Sequence, residues 1–162
     1  MPIEHVTRNY GEIMSDKRFH IAIVNGPNLN LLGKREPEIY GTMPFEEYLS
    51  ILRSKYEDIE IDYYQSNHEG DLIDYLQQTD EKEDIIGIVL NAGGYTHTSV
   101  ALRDTVAAIS KRVIEVHISN PRKRETFRML SYLSDVAAAT FAGFGLQSYD
   151  IGIDFLLSSH RK

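Results

Sequence analysis

A chain of 162 residues favours one domain with one core, and its 42% hydrophobic and 25% charged residues are the proportions of an ordinary globular protein. The formal net charge of −7 argues against a nucleic-acid or anionic-membrane binder, although it leaves room for a local basic patch. Because the chain has no cysteine, disulfides, thiolate catalysis and cysteine-based metal sites are excluded.

The N-terminal residues 1–18 mix charged and polar side chains and lack the apolar segment of a secretory signal. No apolar run in the sequence is long enough to span a bilayer. We therefore expect a cytoplasmic protein in which residues 1–18 form an N-terminal arm, either flexible or at an oligomer contact. Residues 19–162 are expected to form a single α/β domain.

Five short apolar, β-branched runs predict the strands of one sheet. The second run is the most mixed and indicates a less protected strand, whereas the other four are nearly continuous and typical of strands buried on both faces. The runs span residues 21–24, 59–64, 85–90, 113–118 and 140–144.

Helical patterns lie between the predicted strands. In the clearest one, over residues 45–56, apolar side chains recur at spacings of four, three and four, with Thr42 as a candidate N-cap and Pro44 in the first turn. Thr98 or Ser99 is a candidate cap for a later helix. The shorter stripes lie around residues 72–76, 102–109, 127–130 and 147–157.

Repeated strand–helix alternation predicts a flavodoxin-like three-layer α/β sandwich with a five-stranded parallel sheet in the order 2-1-3-4-5. Ligands of such sheets bind outside the carboxyl ends of the strands, so the residues that follow each strand are the candidate site. Amide, hydroxyl, histidine and arginine side chains are concentrated there. The segments span residues 25–41, 66–70, 91–99 and 115–120.

Two of these segments have both a structural and a functional interpretation. Most tyrosines are half-buried fillers, but Tyr40 lies in a long loop rich in glycine, proline and asparagine, close to Lys34 and Arg35. Long loops in compact domains are more often functional than structural. Residues 91–94 are either simple turn chemistry or a glycine-rich turn that presents backbone N–H groups to an anion such as a carboxylate.

His117 also has two interpretations, because it is either a satisfied core histidine or part of a site. Alternation along the predicted strand places it on one face together with Glu115 and Ser119. Three polar side chains on one face of a central strand are costly unless they are paired or line a site.

The sequence lacks the motifs of several other function classes. It has no phosphate-binding loop, no paired-histidine zinc motif and no Gly-x-Ser-x-Gly turn, and Gly143-x-Gly145 lacks the third glycine of a dinucleotide fingerprint. Nucleotide-cofactor chemistry and serine hydrolysis are therefore unsupported.

Four runs of the sequence resemble the type II 3-dehydroquinate dehydratases. They are NGPNLNLLGKREPEIYG, QSNHEGDLIDYL, LNAGGYTHTSVALRD and IEVHISNPRKRETFR, and the similarity extends in family order and spacing over residues 21–157. The resemblance implies a lyase without cofactor or metal that dehydrates 3-dehydroquinate to 3-dehydroshikimate through an enolate, in the shikimate pathway of aromatic amino acid biosynthesis. It also implies trimers that assemble into dodecamers.

The resemblance assigns roles to individual positions. Tyr40 matches the general base and His117 the general acid, and Glu115 matches the carboxylate that orients the histidine. Arg35 matches the loop arginine that stabilises the transition state, and Asn28 matches the amide that positions a water near the enolate. The positions that match substrate contacts are Asn91, His97, Asp104, Ile118, Ser119 and Arg128, with Arg124 as another arginine near the site.

Two features depart from the family pattern. The N-terminal arm is longer than usual, and Met129 and Leu130 stand where many relatives have histidine. Neither departure touches a position matched to catalysis, so the expected activity is unchanged. Both departures bear on the expected assembly contacts. In the family, the aspartate matched by Asp104 reaches the site of a neighbouring subunit.

The competing hypothesis from another class is a flavodoxin-like module that binds a cyclic hydroxy acid without turnover. A sensor has no need of a base–acid pair, so the presence of Tyr40, Arg35 and His117 together argues against it. The sequence leaves open whether the reaction serves biosynthesis or quinate breakdown.

Overall fold

The sheet of this protein, seen in a computed structural model that describes residues 18–161, contains five parallel strands in the predicted order β2-β1-β3-β4-β5. Of the predicted N-terminal arm, residues 1–17 lie outside the described residues. The strand bounds are Phe19–Asn25 for β1, Ile59–Gln65 for β2, Ile85–Asn91 for β3, Val113–His117 for β4 and Ala139–Ala142 for β5.

Helices cover both faces of this sheet. Ile21 and Ile23 of β1 pack into one core with α2 and α5, while Ala22 and Val24 pack into the other core with α3 and α4. Burial on both faces explains why the central strands are continuously apolar. Within residues 18–161, no helix is long and apolar enough to cross a membrane. The helix bounds are Pro37–Tyr40 for α1, Phe45–Lys55 for α2, Glu69–Asp80 for α3, Val100–Ala108 for α4 and Gln147–His160 for α5.

Of the burial predictions for the two edge strands, one is confirmed and the other is wrong. The less protected character expected of the second run is confirmed, because β2 lies at the sheet edge and is only partly buried. The expectation that the fifth run is buried on both faces is wrong, since β5 is the other edge and is partly exposed. Its strand also ends at Ala142 rather than at residue 144, because the chain turns at Gly143, whose φ is +88°.

The predicted helix starts are right in one case and wrong in another. Ser99 caps α4, with its hydroxyl accepting a hydrogen bond from the Leu102 N–H at 2.9 Å. Thr42 does not cap α2, whose N-cap is the extended residue Pro44, so Pro44 precedes the first turn instead of belonging to it.

The helix predicted around residues 127–130 is also wrong. The segment forms two short 3-10 turns, Pro121–Lys123 and Thr126–Met129, and the Phe127 and Leu130 side chains are exposed. Apolar residues spaced by three fit one 3-10 turn as well as a helix stripe. This segment runs past the carboxyl ends of the strands instead of packing on a face, and it carries two arginines to the edge described next.

Candidate active site

A cavity of about 200 Å³ lies at the carboxyl ends of β1, β3 and β4, where the fold class places ligands. All the predicted site residues except Glu115 and Asp104 line it. Those residues are Asn28, Arg35, Tyr40, Asn91, His97, His117, Ile118, Ser119, Arg124 and Arg128.

Tyr40 lines the cavity and has two guanidinium groups beside its ring. Arg124 Nη1 donates a hydrogen bond of 2.6 Å to the Tyr40 hydroxyl, and the Arg124 guanidinium carbon lies 5.3 Å from the ring centroid. Arg35, five residues earlier, lies 5.0 Å from the same ring centroid. Both cations attract negative charge that develops on the phenol oxygen.

The loop that brings Arg35 and Tyr40 together is held in an uncommon backbone conformation. Glu36 lies in the left-handed region with φ 38° and directly precedes α1, the single helical turn that ends at Tyr40. Pro37 begins this turn, a position where its missing N–H costs nothing. The turn therefore fixes the position of Tyr40 at the end of the loop.

His117 lines the same cavity and is paired with Glu115. The strand spacing of two puts both side chains on one face of β4, and His117 Nε2 lies 2.7 Å from Glu115 Oε1. The Glu115 side chain is fully buried. Three hydroxyls also donate to this carboxylate, and they belong to Ser131 at 2.6 Å, Ser134 at 2.6 Å and Thr140 at 2.8 Å.

These partners decide the charge of Glu115. Burial by itself disfavours a carboxylate, but the hydrogen bond and positive charge of His117, together with the serine hydroxyls, outweigh it and lower the pKa of Glu115 to about 2. The carboxylate is therefore ionised and fixes which ring nitrogen of His117 faces it.

Backbone and amide groups form the floor of the cavity. The Asn91 carboxamide oxygen accepts a hydrogen bond of 3.2 Å from the Gly93 N–H, in a turn where Gly93 has φ +58°. Asn28, at φ 68°, is fixed by its own N–H, which donates to Asn67 Oδ1 at 3.0 Å. Ser119 follows β4 and accepts from Arg124 at 3.4 Å.

His97 and Arg128 line the outer part of the cavity. His97 Nδ1 lies 2.6 Å from the Leu130 carbonyl oxygen, so Nδ1 carries the proton and donates. Its ring faces that of His117 at a centroid distance of 6.4 Å. Arg128 Nε donates to Glu125 at 2.7 Å. With Arg35 and Arg124, Arg128 makes this cavity cationic in an acidic protein, which suits an anionic ligand.

Comparison with known proteins agrees with this geometry. Residues 19–157 match the family model described as dehydroquinase class II. The chain belongs to the class II dehydroquinase family. It is 50% identical to 3-dehydroquinate dehydratase 1 of Corynebacterium efficiens over 88% of this chain and 94% of the relative. It is also 50% identical to the 3-dehydroquinate dehydratase of Bacillus licheniformis, over 88% of this chain and 99% of the relative.

Solved structures agree with the fold as well. The type II dehydroquinase of Butyrivibrio crossotus superposes with a TM-score of 0.83 at 43% sequence identity, and the match covers 86% of this chain and 98% of that chain. The predicted flavodoxin-like sandwich with a five-stranded parallel sheet is thus confirmed for this class II dehydroquinase.

Asp104, unlike most of the predicted site residues, does not line the cavity of its own chain. It lies on the outer face of α4, where its side chain is 66% exposed and accepts from Arg103 Nη1 at 3.2 Å. Its exposure places Asp104 off the core-facing side of the helix.

Sequence reasoning missed the groups behind the cavity wall. Ser131 and Ser134 lie in a segment without regular periodicity and Thr140 lies on β5, so nothing in the pattern indicated that all three meet the Glu115 carboxylate. Tyr149 was also missed, although it is fully buried beneath Asn91. A tyrosine in the apolar stripe of α5 looks like a core filler until its hydroxyl partners are seen.

Proposed function

We propose that this chain is a 3-dehydroquinate dehydratase that forms 3-dehydroshikimate through an enolate, in the shikimate pathway of aromatic amino acid biosynthesis. The observation that supports this most is a phenol and an imidazole that line one cationic cavity, each held by its own partners. Membership of the class II dehydroquinase family supports the same substrate.

Tyr40 is the proposed general base, which takes the proton next to the substrate ketone. A free phenol is mostly protonated near neutral pH, so such a base needs neighbouring positive charge. The Arg124 hydrogen bond and the Arg35 guanidinium supply that charge in this cavity. The enolate that forms needs donors already in place, and Asn28 is the proposed amide that positions a water there.

His117 is the proposed general acid, which gives a proton to the departing tertiary hydroxyl. Because Nε2 is engaged with Glu115, Nδ1 is the nitrogen left to face the substrate. The ionised Glu115 stabilises the imidazolium and orients the ring, so the proton is delivered from a fixed position.

The remaining polar groups are the proposed substrate contacts. The Asn91 amide and the backbone of Ile118 and Ser119 hold the substrate carboxylate, and His97 and Arg128 hold ring hydroxyls. These are fixed donors of the kind that orient small anionic ligands. Both proposed proton transfers use side chains of this chain, and no cofactor or metal takes part.

The proposal extends to assembly and location. Residues 19–162 form the single catalytic domain, and the subunits form trimers that assemble into dodecamers in the cytoplasm. Supporting the assembly, Asp104 and the apolar Val100 are exposed one helical turn apart on α4. Asp104 is then the carboxylate that completes the site of a neighbouring subunit.

Ultraviolet absorbance tests this function directly. The product has a carbon–carbon double bond conjugated to its ketone and absorbs, whereas 3-dehydroquinate does not. Adding purified protein to 3-dehydroquinate should raise the absorbance at a rate proportional to enzyme, and Tyr40→Phe prepared identically should not. Binding of 3-dehydroquinate by calorimetry without any rise in absorbance would favour the module that binds without turnover.

A further inference from the structure

Tyr149 is a fully buried tyrosine that touches no ligand-accessible surface, yet its hydroxyl ends beneath the cavity floor. Tyr149 lies on α5, and its ring centroid is 4.9 Å from that of Phe45. The hydroxyl lies between the two asparagines that end neighbouring strands, Asn25 of β1 and Asn91 of β3, which are paired in the sheet register.

The hydrogen bonds of this hydroxyl have a fixed direction. Burial raises the pKa of Tyr149, so the group stays a neutral phenol with one hydrogen to donate. That hydrogen goes to Asn25 Oδ1 at 2.7 Å. The hydroxyl can then only accept from Asn91, whose Nδ2 donates to it at 2.9 Å.

The second partner of Asn91 requires the same orientation. Its Oδ1 accepts from the Gly93 N–H, a group that can only donate. Asn25 extends this series of hydrogen bonds in the same direction, since its Nδ2 donates to the Tyr63 hydroxyl at 3.4 Å. With oxygen and one N–H engaged, the carboxamide of Asn91 has a single N–H hydrogen left at the cavity, which it lines.

We propose that Tyr149 is a positioning residue of the substrate site, which holds the Asn91 carboxamide so that it presents an N–H donor and not its oxygen to the substrate carboxylate. This inference rests on the proposed function. A flipped Asn91 would place a carbonyl oxygen against an anion and lose the Gly93 bond, so selectivity for a carboxylate depends on a hydroxyl that the substrate never meets.

Kinetics of Tyr149→Phe test this proposal. A bond to the substrate carboxylate is the same in the ground and transition states, so its loss should raise KM roughly 5- to 10-fold with kcat within about 2-fold. The pH profile should keep its shape, because neither Tyr40 nor His117 is touched. Tyr56→Phe is the matched control, since it removes a buried phenol hydroxyl that bonds to Asp154 at 2.9 Å in another part of the core. Its KM should be unchanged.

A double-mutant cycle separates positioning from general softening of the core. In the Asn91→Ala background there is no carboxamide to hold, so Tyr149→Phe should leave KM unchanged there. Equal effects of Tyr149→Phe with and without Asn91 would overturn the proposal, and so would an unchanged KM in the single variant. A wild-type protein with no turnover would instead overturn the proposed function.

Asn25→Leu provides a second route if Tyr149→Phe does not fold. Without the Asn25 oxygen, the Tyr149 hydroxyl has its hydrogen available for Asn91, and donation to the Asn91 carboxamide oxygen competes with the orientation that the Gly93 N–H favours. KM should then rise as it does in Tyr149→Phe, although the tyrosine is intact. An unchanged KM in Asn25→Leu would contradict the proposed chain of hydrogen bonds.

Discussion

The two sides of the cavity are built in different ways. Tyr40 stands on a single helical turn in a surface loop, and its partners are the side chains of Arg35 and Arg124. His117 stands at the end of a central strand, and its partner Glu115 is a buried carboxylate held by three hydroxyls. The base side depends on nearby charge, and the acid side on a filled hydrogen-bond network.

This difference separates activity from stability. A buried carboxylate with four donors is coupled to folding, because removing it leaves those donors without an acceptor. A partly exposed phenol beside two arginines contributes little to folding, because both arginines keep other partners when it is lost. Arg124 retains Ser119 and Glu125, and Arg35 retains Glu36. Substitutions on the base side should therefore lower turnover alone, and those on the acid side should lower both turnover and stability.

Tyr40→Phe should have the largest effect on turnover. Loss of the proposed base removes proton abstraction, so kcat should fall by roughly 10⁴-fold or more, at or beyond the upper end for one acid–base group. Chemical denaturation should show a free energy of unfolding within about 1 kcal/mol of wild type. Near-wild-type turnover would remove Tyr40 from its role, and strong destabilisation would break the contrast between the two sides.

Glu115→Gln should lower both quantities. The amide cannot accept from all the hydroxyls and does not stabilise an imidazolium, so turnover should fall roughly 10²-fold and stability by about 3 kcal/mol. Thr105→Val is the matched control, since it removes a buried hydroxyl on α4 that only bonds back to the helix carbonyl of Ala101. It should keep full activity.

The stability lost in Glu115→Gln should also depend on pH. The pKa of Glu115 is lowered from 4.5 to about 2 in the folded protein, so its carboxylate stabilises the fold above pH 4.5. That contribution disappears as the pH falls from 4.5 towards 2. Unfolding curves of wild type and variant should therefore converge over this range, and a constant difference would contradict the assigned network.

Arg124→Lys tests whether Tyr40 needs a guanidinium group beside it or only a positive charge. Lysine keeps the positive charge but not the planar guanidinium that lies at the Tyr40 ring and bonds to its hydroxyl, so kcat should fall roughly 10-fold with stability unchanged. Lys123→Ala, at an exposed neighbouring position, is the control and should have full activity. Equal kcat values for Arg124→Lys and wild type would mean that charge alone is required.

Asp104→Ala should lower the kcat/KM of an intact assembly roughly 10-fold, the effect of one charged contact. Asp135→Ala is its control, because Asp135 pairs with the same Arg103 at 2.9 Å. If Asp104 acts in a neighbouring subunit, mixed oligomers of Asp104→Ala and Tyr40→Phe contain some sites with both intact residues. Their activity should then depart from that expected if each site used one chain. Activity that follows single-chain arithmetic would place Asp104 outside the site.

How much of this was predictable from the sequence depends on the range of the interactions. Strand order and the edge that carries the site follow from local patterns, because alternation and turn residues are encoded within a few positions. Alternation along one strand placed Glu115 and His117 on the same face, and the family resemblance implied their pairing, which the structure shows. The partial burial of β5 was not predictable, since an apolar run does not say whether it lies at an edge.

Long-range partners were out of reach for the same reason. Arg124 bonds to Tyr40 across 84 positions of sequence, and Tyr149 bonds to Asn25 across 124. Family resemblance placed Arg124 near the site without indicating its partner. No sequence pattern indicated a role for Tyr149, because a tyrosine at a core-facing position of a helix gives the same pattern as an apolar residue.

Deuterium exchange at the carbon next to the substrate ketone is the most direct test of the base and acid assignments. In heavy water, His117→Asn still has Tyr40 to form the enolate but cannot release the hydroxyl, so recovered 3-dehydroquinate should contain deuterium at that carbon by mass spectrometry. Tyr40→Phe should yield unlabelled substrate under the same conditions. Exchange catalysed by Tyr40→Phe, or its absence in His117→Asn with bound substrate, would contradict the division of the cavity into a base side and an acid side.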